Sequence, residues 1–310
     1  SNLSLSERLV NIWSSSADTA HYLFIAQNGY EFANKTLFPL WPIVLNLTGA
    51  TPFVAKILAI LLTFSFLLFF VKLIKNLGCQ KNTEQIILSL IVFPASFLLL
   101  APMSEPLYIV LAVLTFLMAE KKNFTKAAIF ASFAAATRSI GLLLTIYLAI
   151  KILENGKSTL KRFWWTLLIS PLGFILYSLY LQLAFGDFAI FYKDQSGWGR
   201  SLGLSSIGNL FNETYTTFLQ IIGPVKPNPI NLLHFGLFFF FIFLAIISYK
   251  KLNKALWLYS VLAVIVPLAS GTSVAISRYL LSAFPLFIPF GIFLKKHRTI
   301  FYFYLFFSIL

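Results

Sequence analysis

Acid is scarce in this chain. Ten Asp and Glu stand against 24 Lys and Arg in 310 residues, and charged residues make up only 11%. A soluble domain carries roughly 25% charged residues, so an ordinary water-covered surface is excluded. Cysteine is almost missing. The one thiol, Cys79, rules out an internal disulfide and fits no metal-ligand spacing. Also absent are the phosphate-binding Gly-rich loop, the dinucleotide turn, the Ser-centred nucleophile elbow and the paired-His zinc motif. A soluble nucleotide is therefore not the expected substrate.

What the chain has is apolar. Hydrophobic residues reach 59%, with 35 Phe and a mean hydropathy of +0.84. The solvent for most of it is lipid. Crossing a bilayer takes about 20 apolar residues. Candidate spans are 53–75, 85–101, 106–119, 126–150, 162–184, 232–249, 255–270, 280–294 and 299–310. Several are short and hold Pro or Gly, which predicts broken or half-membrane helices. The net charge of +14 would suggest nucleic acid in a soluble protein. Here the cations gather between apolar runs: Lys72/Lys75/Lys81, Lys121/Lys122/Lys126, Lys151/Lys157/Lys161/Arg162, Lys250/Lys251/Lys254 and Lys295/Lys296/His297/Arg298. They read as cytoplasmic topology signals, and nucleic acid is not an expected partner.

The opposite side then holds residues 1–50, the "APMSEP" turn, the long loop 185–231 and "SGTSVAISR". Six of the ten acids fall there: Asp18, Glu31, Glu105, Asp187, Asp194 and Glu213. Segment 126–150 is cationic at both ends, with "ATRSIG" at its middle. It predicts two short helices meeting at Arg138–Gly141, a hairpin reaching part way across. A single span with one misplaced cluster is the alternative. In the long loop, "GPVKPNPIN" reads as turns. The chain starts at Ser1 and stops inside "TIFYFYLFFSIL", which reads as a fragment trimmed at both ends.

Asp18 stands at the membrane boundary, where an ionisable group is a functional candidate by default. It also reads as the N-cap of a helix over "TAHYLFIAQNGY", and the two roles are compatible. His21, three residues on, shares its face on a helix and either tunes the Asp or packs. Glu105 reads as a solvated turn residue or a cap. Arg138 lies deeper and either neutralises a neighbouring acid or binds an anion such as a lipid phosphate. Arg200 and Arg278 face the same side, where the planar guanidinium fork suits phosphate. For Arg278 the plain reading is an interfacial anchor beside Tyr279. Trp198, in a Gly-rich stretch, stacks on a sugar ring or is structural. His21 and His234 lack a metal pattern.

Six stretches, in order, resemble the GT-C membrane glycosyltransferases. They are "DTAHYLFIAQNGYEF", "LFPLWP", "FPASFLLLAPMSEPLY", "AAATRSIGLLL", "GDFAIFYKDQSGWGR" and "SRYLLSAFPLFI", from residue 18 to about 288. Within that group the chain is similar to the PIG-V type, GPI mannosyltransferase II and its prokaryotic relatives. The resemblance implies an all-α polytopic membrane protein, a single domain over 1–310 with a bundle of about nine to ten transmembrane or half-membrane helices. One helix would precede the first loop. It implies an active site on the non-cytoplasmic face, with 1–50 as the catalytic loop and "LFPLWP" turning the chain back towards the next span. The donor implied is a polyprenyl- or dolichyl-phosphate hexose, commonly mannose, transferred with inversion. The acceptor is an unspecified glycan, lipid or protein. Asp18 carries over as the general base. Arg278, Arg200 and Arg138, in that order, are candidates for donor phosphate or pyranose contacts. Glu105, His21 and Trp198 join them as donor-site candidates, Glu105 by binding sugar hydroxyls or positioning a cation. No nucleotide or metal cofactor is expected. Membrane lipid is a partner, in the plasma membrane of a prokaryote or the endoplasmic reticulum of a eukaryote. The chain departs from the family at Ala17, where an aromatic is usual, and at Gln27, where an acid is frequent. Two other readings stand: a lipid-linked sugar transporter, disfavoured because the polar groups gather on one side, and a non-catalytic subunit of a glycosyltransferase complex.

Overall fold

The computed structural model describes residues 17–32, 34–198, 200, 204–223, 228–269, 271 and 276–309. All regular structure among them is helical. In chain order the helices are α1 (Ala17–Asn28), α2 (Leu40–Leu47), α3 (Pro52–Asn76), α4 (Thr83–Ile91), α5 (Glu105–Glu120), α6 (Phe124–Thr137) and α7 (Leu143–Glu154). There follow α8 (Lys157–Phe163), α9 (Thr166–Ile169), α10 (Leu172–Phe185), α11 (Ile190–Lys193), α12 (Leu204–Ile222) and α13 (Pro229–Ser248). The last are α14 (Lys254–Leu268), α15 (Ile276–Ser282), α16 (Phe287–Lys296) and α17 (Arg298–Ile309).

Among the described residues two helices, α3 and α13, are long and apolar enough to cross a membrane. The number rises to four if two bent pairs, Leu172–Phe185 with Ile190–Gly197 and Ile276–Ser282 with Phe284–Lys296, each count as one span. Both long helices start on strong local signals. Thr51 and Asn228 accept from the amides of Val54 and Ile230, and Pro52 and Pro229 fill the first helical position. Their outward residues are large and apolar, Phe53, Leu61 and Phe64 on α3 and Ile230, Phe239 and Ile246 on α13. Such faces fit a membrane protein.

Other expected spans are interrupted. Segment 85–101 leaves the α-helix after Ile91, around Pro94, and resumes as a 3-10 turn at Ser96–Leu100. Segment 162–184 is cut into α8, α9 and α10, with Pro171 just ahead of the last. Proline has no amide hydrogen to donate and blocks the helix that precedes it. The break predicted in 126–150 is present: α6 ends at Thr137, Arg138 is extended, and a 3-10 turn at Ser139–Leu142 leads into α7. Gly141 lies against the backbone of Ala134 and Ala135 so tightly that an added Cβ would sit 2.5 Å away. The chain thus folds back onto α6.

The residues form two compact units: up to Gly78 with Phe97–Asp194, and Cys79–Ser96 with Gln195 onwards. In the first, α5 is the core helix and is apolar all round, the mark of a fully enclosed helix. Tyr108, Ala112, Val113 and Phe116 are entirely buried between α3 and α6. The alanines of α6, Ala127, Ala128, Ala131, Ala134 and Ala135, are also fully buried, and small side chains let helices approach closely. In the second unit α16 takes the central place. Gly291 meets the backbone of Ile86 on α4, where a Cβ would stand 2.5 Å off. Phe290 packs edge-on to Phe240 and Tyr304, and the Tyr304 hydroxyl donates to the Ser89 carbonyl at 2.7 Å.

Candidate functional site

The first unit gathers most of the predicted site. Asp18 stands in the first turn of α1, inside the helix rather than ahead of it. The expected N-cap role is therefore not that of Asp18. Carboxylates are favoured in a first turn by the helix dipole. One face of α1 is buried through Thr19, Tyr22, Leu23, Ile25 and Ala26, while Asp18 and His21 are half-buried together, as their three-residue spacing requires. Two side-chain amides fix the helix to the segment that follows. Gln27 Nε2 donates to the Ala50 carbonyl at 2.9 Å, and Asn46 Nδ2 to that of Ala26 at 2.7 Å.

"LFPLWP" does more than turn the chain. It opens α2, and its Trp41 and Pro42 are buried. Trp41 Nε1 donates to the Pro102 carbonyl at 3.4 Å, tying this motif to "APMSEP". The loop between α1 and α2 is held by tyrosines. The Tyr30 hydroxyl donates to the Leu37 carbonyl at 2.7 Å, and Tyr177 on α10 donates to that of Lys35 at 2.8 Å. Burial, then neighbouring Tyr177, pushes the Tyr30 phenol far up, so it remains a neutral donor.

Glu105 is not a solvated turn residue. It is the first residue of α5, 2% exposed, and ion-paired with Arg138. "SEP" reads as a turn because of its proline, yet Pro106 near the helix start is compatible with helix. Arg138 takes the neutralising role of its two readings. It sits at the open end of α6, its own carbonyl accepting the Gly141 amide at 2.9 Å.

Tyr22 and Ser104 were not among the sequence candidates, and they link the pieces. The Tyr22 hydroxyl donates to Ser104 Oγ at 2.8 Å, inside the core. Ser104 directly precedes Glu105, so this bond latches α1 to the head of α5. Tyr22 lies four residues after Asp18, hence on the same side of the helix, which was the available signal. Its partner lies 82 residues away, which no local pattern reveals. Burial pushes the Tyr22 phenol up to about 12. The Glu105 carboxylate adds to that, Arg138 opposes it, the Ser104 bond lowers it, and Asp18 raises it slightly. Asp18, Glu105 and Arg138 thus all lie within electrostatic reach of one phenol.

Two other acids of that side serve local roles. Asp187 pairs with Lys193 at 2.5 Å and accepts the Ala189 amide at 2.9 Å, which together hold its carboxyl below the ordinary range. Asp194 accepts the Lys35 amide at 3.0 Å.

The second unit holds the other arginines. Arg200 lies with its guanidinium 5.8 Å from the ring centroid of Tyr279, a cation–π arrangement. Tyr279 is the neighbour of Arg278, so "GWGR" and "SRY" come together here. Tyr279 is 4% exposed, and its hydroxyl makes no hydrogen bond among the described residues. Arg278 is half-exposed, and its carbonyl accepts Ser282 Oγ at 3.4 Å. Trp198 ends the 3-10 turn Asp194–Trp198, and its side chain lies outside the described ones. No group of three His, Cys, Asp or Glu suited to a metal occurs among the described residues. An open apolar groove of about 410 Å³ runs along α13 at Pro229, Leu232, Leu233, Gly236 and Leu237, away from any of these polar groups in sequence and without one of its own. Set against family models, curated proteins and solved structures, the chain matches none of them.

Proposed function

We propose that this chain is an inverting glycosyltransferase. It moves a hexose, mannose by the resemblance of its motifs, from a polyprenyl- or dolichyl-phosphate donor to an acceptor hydroxyl on the non-cytoplasmic side of a membrane. The observation that carries the reading is the buried Glu105, ion-paired with Arg138, beside the Tyr22–Ser104 hydrogen bond, with Asp18 one turn before Tyr22 on the same helix. Three charged groups of a chain with very few acids share one corner of the first unit, on the side that the lysine clusters leave non-cytoplasmic. Apolar helices suited to a bilayer support a lipid-borne donor.

In this reading the Asp18 carboxylate accepts the proton of the acceptor hydroxyl as that oxygen attacks the anomeric carbon. The bond from that carbon to the phosphate oxygen breaks, the configuration inverts, and the lipid phosphate departs as an anion. It needs cations rather than a general acid. The resemblance of the motifs names Arg278, Arg200 and Arg138, in that order, for that contact. His21 stands beside the base. Glu105 and Arg138 set the field and hold the corner rigid, and their ion pair makes a direct phosphate contact by Arg138 a lesser part of the proposal. No nucleotide or metal enters the scheme.

The test is transfer of labelled mannose from polyprenyl-phosphate mannose in proteoliposomes that contain the protein and extracted membrane acceptors. Label appearing in an acceptor, dependent on the protein, supports the proposal. Label that crosses the bilayer still on its lipid, with none transferred, makes the chain a transporter. Transfer that appears only when a second glycosyltransferase is added makes it a supporting subunit.

A further inference from the structure

Helix α12 is built inside out. It has 19 residues, enough to reach across a bilayer, yet it is not apolar enough to count among the spans. Its apolar residues are not scattered. At 100° per residue, Phe211, Tyr215, Phe218 and Ile222 fall within one narrow arc, with Leu219 at its edge. Ser206, Glu213, Thr217 and Gln220 fall on the opposite arc. In a water-soluble domain the first arc would face inward. Here the reverse holds. Phe211 is 69% exposed, Tyr215 60% and Ile222 66%, whereas Ser206 and Thr217 are buried and Glu213 and Gln220 half-buried. The polar arc is turned towards the second unit's interior, where α12 packs on α13.

We infer that α12 lies flat in the outer interface of the bilayer, its arc of Phe211, Tyr215, Phe218 and Ile222 sunk among the lipid acyl chains. Two observations choose lipid over another occupant. The arc is uniformly apolar and aromatic, without charge to recognise a protein partner. It also adjoins α13, a helix fit to cross the membrane, whose first turns present Ile230, Leu232 and Leu233 outward. The charge pattern chooses flat over crossing. If α12 crossed, α13 would run the other way and set Lys250, Lys251 and Lys254 on the non-cytoplasmic side, against the positive-inside rule. An in-plane helix buries its apolar face about 5–10 Å into the headgroup and acyl boundary. The inference does not depend on the glycosyltransferase reading.

Depth measurement tests it. In a Cys79→Ser background, single cysteines at 211, 215, 218 and 222, and at Asn212 and Thr216 as flank controls, carry nitroxide labels in lipid nanodiscs. Oxygen and a nickel chelate then report the depth of each label. The expected result is one shared shallow depth for the four, with the two controls nearer water. A depth that changes steadily, by about 16 Å from 211 to 222 at 1.5 Å per residue, would make α12 a span and overturn the inference. Labels as open to nickel as the controls would remove the helix from the membrane, and labels closed to both reagents would place another protein over the arc. A Phe218→Trp variant quenched by lipids brominated at different depths gives the same reading without cysteine chemistry.

Discussion

The two ends of α5 carry a glutamate each, and the structure treats them differently. Glu105 opens the helix and Glu120 closes it, about 22 Å apart at 1.5 Å per residue. Glu105 is almost wholly enclosed and pairs with Arg138. The helix dipole favours a carboxylate at that end. Glu120 sits at the unfavourable end and is 17% exposed. Lys151 on α7 compensates it at 3.1 Å, with Glu154 3.7 Å from the same ammonium, and the Tyr147 hydroxyl donates to it at 3.4 Å. The Glu120 cluster lies next to Lys121 and Lys122 in sequence and does nothing that a clasp between α5 and α7 would not. The outer pair is joined by Tyr22, Ser104 and Asp18. One helix thus carries a structural ion pair at one end and the candidate site at the other, and the surroundings distinguish them better than the pairs themselves.

Ranked by the stability they cost, four substitutions sharpen or break this contrast. Glu105→Leu leaves the half-buried Arg138 guanidinium without its carboxylate and should cost up to about 3–5 kcal/mol. Replacing both, Glu105→Leu with Arg138→Met, should recover most of that. Denaturant titration in micelles checks both, and a single variant no worse than the double would remove the pair's anchoring role. Next, Gly141→Ala forces a side chain against the α6 backbone and should cost about 1–3 kcal/mol by the same titration. An unchanged midpoint would mean the turn beneath Arg138 is looser than described. Lys151→Met leaves Glu120 partly open to water, so its cost should stay below that of Glu105→Leu, at about 1–2 kcal/mol. It should spare any transfer activity, whereas the outer double variant should not.

The smallest effect belongs to Tyr22→Phe, about 1 kcal/mol for one buried hydrogen bond. It has a pH signature. The folded phenol titrates at about 12, above its ordinary 10.0, so folding favours the protonated form. Its contribution is complete below pH 10 and is lost as pH rises through 12. The wild-type advantage over Tyr22→Phe should therefore be flat up to pH 10 and shrink above it. An advantage that persists at pH 12 would mean the latch does not depend on the phenol proton.

Legibility in the sequence followed the range of the interactions. The long runs of α3 and α13 were plain, because twenty or more apolar residues without a breaker have few alternatives. The break at Arg138–Gly141 was legible too, since an arginine and a glycine interrupt an alanine-rich run. Hydropathy alone does not register the interruptions at Pro94 and Pro171, so the expected segments 85–101 and 162–184 are several short helices. At the site, Asp18 and His21 shared a face as their spacing required. The burial of Glu105 was hidden, because its partner is 33 residues away and its own neighbours spell a turn. Tyr22 looked like one more aromatic among 13 tyrosines until Ser104 met it.

The most direct measurement is the rate of sugar transfer from polyprenyl-phosphate mannose by the wild type and by Asp18→Asn, in proteoliposomes at equal protein level. The substitution keeps the shape of the side chain and its place in the first turn of α1 and removes only the base. A loss on the order of 100-fold or more is predicted, with the unfolding midpoint unchanged. Transfer by Asp18→Asn at the wild-type rate would contradict the account and leave Asp18 a helix-start residue.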